Sequence, residues 1–316
     1  MPTPPLPDSQ KPVVAFGREI PEFGSWRWVG ADMAAAVSEE FATCVFRDDI
    51  PLCDVVVFVK FKPSDEVLRE VSRHSAVIYC PIDCYGSAAE IDADFRGLRC
   101  CDRVVIHCER LRKYFSTYCK VEYVDHHLKY HAPLRQIFRD KGPILWVGVR
   151  SNLPPFVEWA NRQRLPEELW VLTNPEGPTA TLQAGDYGFN ALNTVRIGVW
   201  TPARHREWAE LARAAIDIKG NDFRSRHKPP TKALDCLASG IPLAMNQDSS
   251  SALHLASLGF DVSNPENVDR WLSREYWNET VRFGRTLCRD LSYEKIAARW
   301  RHVLQDVLTE RLQKIR

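Results

Sequence analysis

Predominantly apolar runs, each short enough for a single strand, alternate with stretches of helical composition along most of the chain. VVAF at 13–16, the run at 43–46, VVVFV at 55–59, AVIY at 76–79 and VVIH at 104–107 form a first series. A second series begins after Pro143, with runs at 144–147, LWVL at 169–172, 194–199, AAIDI at 214–218 and IPLAM at 241–245. Strands that are apolar at every position, not at alternate ones, are buried on both faces, as in a parallel sheet covered by helices. The pattern therefore predicts an α/β chain with two alternating units and a linker near 138–142. We expect one domain over 1–139, a second over 140–294 and a terminal helix over 295–316. On that helix Ile296, Trp300, Val303, Leu304, Val307 and Leu308 keep one apolar face.

One segment, KGNDFRSRHKPPTKALDCLASGIPLAMNQ at 219–247, gathers most of the candidate chemistry. The apolar run before it delivers Lys219 at a strand's carboxyl end. Arg224, Arg226, His227, Lys228 and Lys232 follow around Pro229-Pro230. Proline has a preset φ and no N–H, so Pro230 suits a first helical position. Ala233, Leu234, Leu237 and Ala238 then recur on one helical face, and Gly240 ends the helix. A helix amino terminus leaves unpaired N–H groups and a partial positive charge. With Lys219, Lys228, Thr231 and Lys232 crowding the same end, it makes a candidate diphosphate seat. Asp235, about one turn inside the helix, could accept bonds from sugar hydroxyls. A solvated basic loop before an ordinary core helix is the alternative.

KPPTKALDCLASGIPLA resembles the donor-site segment of nucleotide-sugar glycosyltransferases with the GT-B fold. The resemblance is greatest to the large retaining family whose segment reads E-x7-E, then a small-residue helix, Gly, x and Pro. It implies two Rossmann-like domains facing across a cleft, the second holding the activated sugar and the first the acceptor. Asp235 falls on the second acidic position, which in that family holds the nucleotide ribose. His227 falls on the first, normally a Glu that contacts the donor sugar. Gly148-Val149-Arg150 resembles the opening of the family's second domain, where an arginine reaches the donor phosphates; Arg150 is displaced by one residue from that pattern. The implied reaction is glycosyl transfer from a UDP- or GDP-sugar, with retention, needing neither metal nor other cofactor. Lys219, Lys228, Lys232 and Arg150 would neutralise the leaving diphosphate.

Two further positions lie at strand ends, where ligands bind in open parallel sheets. The glycine-bearing loop after 13–16 contains Gly24, Ser25, Trp26 and Gly30. Its tryptophans, Trp26 and Trp28, either stack on a ligand or cap the core. Asp83 follows the AVIY run directly and either orients an acceptor hydroxyl or caps the next segment.

Composition narrows the classes. A formal charge of +1 gives no global attraction to nucleic acid or anionic membrane, so an enzyme acting on a nucleic-acid base is disfavoured. No apolar run approaches the roughly 18 residues that span a bilayer. The start, MPTPPLPDSQKP, is a proline-rich polar tail without the look of a signal peptide, so we expect a cytoplasmic protein. The ten cysteines then read as reduced and mostly buried, and without a CxxC repeat no metal is expected. The acceptor, whether glycan, lipid-linked or small molecule, is not encoded in any motif. A catalytically silent nucleotide-sugar binding or scaffold protein is the competing function, motivated by His227 in place of Glu.

Overall fold

The computed structural model describes residues 11–175 and 181–315; the proline-rich segment 1–10 lies outside the described residues. The chain forms two compact units. One comprises residues 11–107, 111–126 and 294–315, the other 108–110 and 127–293.

The first unit carries a six-stranded, all-parallel sheet in the order β2-β1-β3-β4-β5-β6. Its strands are β1 (Val13–Gly17), β2 (Ala42–Val45), β3 (Val55–Val59), β4 (Ala76–Cys80), β5 (Arg103–Ile106) and β6 (Val121–Tyr123). Between them run α1 (Asp32–Ala36), α2 (Asp65–His74), α3 (Ala88–Ala93), α4 (Phe95–Leu98) and α5 (Arg112–Phe115). Every residue of β3, β4 and β5 is buried, as the unbroken apolar runs of β3 and β4 require; in β5 this includes Arg103, whose charge is paired with Glu310. The side chains of Ser64 and Ser87 accept backbone N–H groups at the starts of α2 and α3 and fix where those helices begin.

One expectation needs correcting here. The glycine-bearing segment after β1 is not all loop: Trp26–Ala31 is a π-helix that runs straight into α1. The cause is Trp26, which is buried at 3% exposure with its ring against Gly30. A Cβ on Gly30 would fall 2.2 Å from that ring, so only glycine lets the turn close over it. Trp26 is thus the core tryptophan, while Trp28 is half-buried and stacks on His126 at 5.8 Å.

The second unit has a five-stranded parallel sheet in the order β11-β10-β7-β8-β9. The strands are β7 (Ile144–Val147), β8 (Leu169–Thr173), β9 (Val195–Val199), β10 (Ala214–Asp217) and β11 (Leu243–Met245). Its helices are α6 (Pro154–Ala160), α7 (Pro202–Leu211), α8 (Thr231–Ala238), α9 (Ser250–Ser257), α10 (Val268–Trp271) and α11 (Arg274–Asp290). Pro230 caps α8 instead of opening it, so the helix starts one residue later than the sequence suggests. Gly240 stands just past its end at φ +69, a conformation glycine adopts without strain. Gly284 lets α11 lie close on α8: a Cβ there would meet the Leu237 carbonyl at 2.4 Å.

The last helix, α12 (Tyr293–Ile315), belongs almost entirely to the first unit. Trp300 packs against Phe16 of β1 at 6.4 Å. Ion pairs flank this contact: Arg299 with Asp125 at 2.7 Å, Arg301 with Glu40 at 2.9 Å and Arg103 with Glu310 at 2.7 Å. Among the described residues no helix is long and apolar enough to cross a membrane.

Candidate functional site

In the second unit the chain leaves β7 towards β8 and β9 on one side and returns to β10 and β11 on the other. The topological switch point is therefore the gap between the carboxyl ends of β7 and β10, where open parallel sheets bind ligands. Those two ends carry a buried cluster of one carboxylate and two ammonium groups. Asp217, the last residue of β10, is 7% exposed. Its Oδ2 lies 2.7 Å from Lys219 Nζ and its Oδ1 accepts from Lys232 Nζ at 3.3 Å. Lys232, in the first turn of α8, donates a further bond to the Val147 carbonyl at the end of β7, at 2.8 Å. One carboxylate thus joins β10, β7 and the start of α8.

The electrostatics follow from this geometry. Burial alone would raise the Asp217 carboxyl, but the two ammoniums outweigh it and hold it below its ordinary value. Burial pushes Lys232 down to about 8, with the Asp217 charge opposing and the Lys219 and Lys228 charges reinforcing. His205, 4% exposed, is pushed to about 4 by burial and then by the charges of Lys232 and Arg206. Beneath the cluster, Asp217, Lys232, His205 and Cys236 line a void of about 10 Å³, room for no more than a water. A larger ligand would have to lie on the outer side. Gly148, just beyond β7, keeps that side open: a Cβ there would stand 3.2 Å from Lys232 Nζ and 2.6 Å from the Trp146 ring.

The other residues singled out in this unit are placed as follows. Lys228 donates to Asn152 Oδ1 at 2.6 Å, and Thr231 opens α8. Arg150 sits in a short 3-10 turn after β7, its guanidinium 4.5 Å above the Tyr187 ring and bonded to the Asp186 carbonyl at 3.3 Å. His227 is 8% exposed, stacked on Phe223 at 4.0 Å. Its Nδ1 is 2.7 Å from the Phe223 carbonyl, which can only accept, so Nδ1 carries a proton.

Asp235, which the resemblance assigns to the ribose, bonds within its own unit. It is 3% exposed, and its carboxylate accepts the backbone N–H groups of Lys129 at 3.1 Å and Tyr130 at 3.4 Å. The reason is its place on α8: it lies on the face that packs inward, so its carboxylate anchors the 129–130 segment. Burial pushes its pKa up to about 7, against the pull of those two N–H groups.

Gly24, Ser25 and Asp83 belong to the first unit. Gly24 is exposed and Ser25 half-buried, immediately ahead of the π-helix, and the Ser25 side chain makes no capping bond. Asp83 follows β4 at φ +53, and its buried Oδ1 has no hydrogen-bond partner among the described residues. Beside it is Lys60, at φ +67 just past the end of β3. Lys60 Nζ donates to the Ile82 and Asp83 carbonyls at 2.9 and 3.4 Å and lies 5.0 Å from the Phe23 ring centre. Two adjacent strand ends in left-handed backbone, each at a non-glycine residue, store strain of the kind that gathers at working sites. At the next strand end, the rings of His107 and His126 lie 4.3 Å apart, and burial pushes His107 to about 4.

Sequence reasoning missed Asp217 and Lys60. Each had a signal: a single charge at the carboxyl end of an otherwise apolar run, in AAIDI and just after VVVFV.

The chain matches no protein-family profile and no curated protein sequence. Solved structures do match. Alpha,alpha-trehalose 6-phosphate synthase from Burkholderia multivorans is similar with a TM-score of 0.66 at 10% identity, over 97% of this chain and 98% of that one. AviGT4, a glycosyltransferase involved in avilamycin A biosynthesis, is similar at 0.61 and 13% identity, over 95% and 98%. A mutant of the Thermobaculum terrenum O-GlcNAc transferase is similar at 0.56 and 13%, over 100% of this chain and 71% of that one. At such identities the likeness is one of fold: the two parallel α/β units are those of the GT-B fold.

Proposed function

We propose that this chain is a glycosyltransferase that moves a sugar from a nucleotide-sugar donor, such as a UDP- or GDP-sugar, to an acceptor hydroxyl, with retention. The observation that carries the proposal is the clasp of Lys219 and Lys232 on Asp217 at the β7–β10 switch point. When the bond between sugar and diphosphate breaks, negative charge grows on the leaving phosphate oxygens. Ammonium groups already held in place stabilise that charge without reorganising at the moment of reaction. Asp217 supplies the holding: it fixes two largely buried lysines while no phosphate is bound and opposes the burial that pushes Lys232 down. Lys228 and the first-turn N–H groups of α8 add donors at the same end. Arg150, tied to Tyr187 and Asp186 after β7, is the fourth cation of the diphosphate seat in this reading.

On the acceptor side we place Asp83. Its Oδ1 is short of a partner, and a carboxylate in that condition gains by accepting a hydroxyl proton or orienting the hydroxyl. The fold is shared with proteins whose names are those of glycosyl-transferring enzymes, which supports the class of reaction and leaves donor base and acceptor to experiment.

A binder without turnover is the second reading, favoured by His227: where the resembling family has Glu, this ring is stacked on Phe223 and bonded to its carbonyl. Incubation of purified protein with UDP-glucose, UDP-N-acetylglucosamine and GDP-mannose, following nucleoside diphosphate release, separates the two. Slow release that Lys232→Met abolishes in a folded protein supports the enzyme; tight donor binding without release supports the binder. Neither binding nor release with any donor overturns both.

A further inference from the structure

A second cavity lies in the same unit, outside the switch-point cluster, and nothing in the glycosyl-transfer reading uses it. It has a volume of about 450 Å³ and is lined by Gln136, Trp277, Asn278, Val281, Arg282 and Arg285. That volume is within the usual range of small-molecule sites. Trp277 and Val281 are buried at 8% and 7% exposure and make an apolar floor, whereas Asn278, Arg282 and Arg285 are exposed on the same side of α11.

Its charge is one-sided. Among the described residues neither Arg282 nor Arg285 makes an ion pair or a hydrogen bond. The acidic residues of the same helix face, Glu275 and Glu279, do not line the cavity. The segment at its rim adds positive charge. Arg135, next to Gln136, spends its guanidinium on the carbonyls of Ala209, Glu210 and Ala212. It is lowered to about 10 by burial and then by the charge of Arg139. Arg274 covers Phe138 at 4.7 Å and has no carboxylate partner among the described residues. Two guanidiniums about one helical turn apart, with amide donors from Gln136 and Asn278 beside them and an apolar floor below, match a doubly charged group borne on a small organic body.

We propose that this cavity is a binding site for a phosphate monoester, with Arg282 and Arg285 paired to the phosphate oxygens and the ester's carbon skeleton resting on Trp277 and Val281. Arginine suits this pairing because its planar fork meets two oxygens at once. The site is separate from the diphosphate seat, since none of its lining residues belongs to the Asp217 cluster. It therefore stands whether or not the glycosyl-transfer reading does.

The test is calorimetric titration of the full chain with glucose 6-phosphate and with inorganic phosphate at physiological salt, and a parallel sedimentation assay with vesicles containing phosphatidic acid. In the Lys232→Met chain, whose diphosphate seat is disabled, saturable binding is expected, weakened at least about tenfold when Arg282→Ala/Arg285→Ala are added. Both arginines are exposed, so the double variant should keep its fold, which circular dichroism checks. Binding of the vesicles alone, lost in the same double variant, would place the phosphate on a lipid headgroup and uphold the site. In that Lys232→Met chain, binding that survives the two arginine substitutions, or no binding of any of the three probes, would overturn it.

Discussion

Replacing Asp217 by Asn should make the protein less stable and, at the same time, a tighter binder of diphosphate. The carboxylate sits 2.7 Å from Lys219 Nζ and 3.3 Å from Lys232 Nζ, with side-chain exposures of 9%, 8% and 29% for the three residues. Taking one partner out of a buried ion pair costs about 3–5 kcal/mol, because the charge left behind has lost its compensation. Lys232 is partly exposed and asparagine keeps an acceptor, so the lower end, roughly 3 kcal/mol, is expected, or about 6–12 °C in melting temperature. The effect on binding has the opposite sign. A phosphate on these lysines would lie about 5 Å from the carboxylate, and at an effective dielectric constant near 20 the repulsion is about 3 kcal/mol before screening. After screening, and at a pH near about 6 so that Lys232 keeps its proton without the carboxylate, removing it should tighten binding roughly tenfold to a hundredfold. Pyrophosphate is the probe, since it carries the charge without committing to a nucleobase. Calorimetry at low salt and at 0.15 M, with melting curves taken with and without ligand, reads both effects. A variant that melts lower yet binds pyrophosphate no better, or worse, would refute the reasoning: the lysines would then be counter-ions for Asp217 and nothing more.

Other outcomes follow from the same geometry. Because Lys232 titrates near 8, pyrophosphate affinity should fall as pH rises through about 8 and beyond, and Lys232→Arg should remove that fall; a flat profile in the native chain would take Lys232 out of the seat. His205 and His107 are neutral down to about 4 in the folded chain, whereas an unfolded imidazole takes its proton near 6.5. The unfolded state therefore binds more protons between those values, and stability should be lost as pH falls through that window, by at most about 3 kcal/mol per histidine. Urea titrations across pH 7 to 4.5 should show the loss, with less of it in His205→Gln; Asp235, pushed up to about 7, acts in the opposite sense across the whole window and offsets part of the loss. Gly148→Ala should cost about 1–3 kcal/mol by calorimetric melting and weaken pyrophosphate binding, because its Cβ would collide with the Trp146 ring and crowd Lys232 Nζ; an unchanged variant would mean the loop has slack.

The strands were legible because burial on both faces leaves a mark that local sequence cannot hide. The runs at 55–59 and 144–147 coincide with β3 and β7 to the residue, and the basic segment around Lys219 and Lys232 was evident from charge alone. What stayed hidden depends on partners far away in the chain. Asp235 bonds to residues more than a hundred positions earlier, Lys129 and Tyr130, and no spacing rule connects them. Trp26 closing on Gly30 turns a supposed loop into a helix through a packing contact, not through propensity. Asp217 was concealed by its neighbours, since one carboxylate at the end of AAIDI does little to an apolar run.

Asp217 and Asp235 show why a buried aspartate cannot be read from its burial. Both are nearly inaccessible, and desolvation pushes each towards its neutral form. Asp217 faces two ammoniums and ends below its ordinary value; Asp235 faces two backbone N–H groups, one of them at 3.4 Å, and ends well above it. Full charges outweigh dipoles at comparable distance, so only the first remains a firm anion near neutral pH. That difference assigns their work. A carboxylate that stays ionised opposes the burial that pushes Lys232 down and holds both ammonium groups in place for an incoming anion. A carboxyl that titrates near neutrality and accepts the 129–130 backbone N–H groups holds the chain together there.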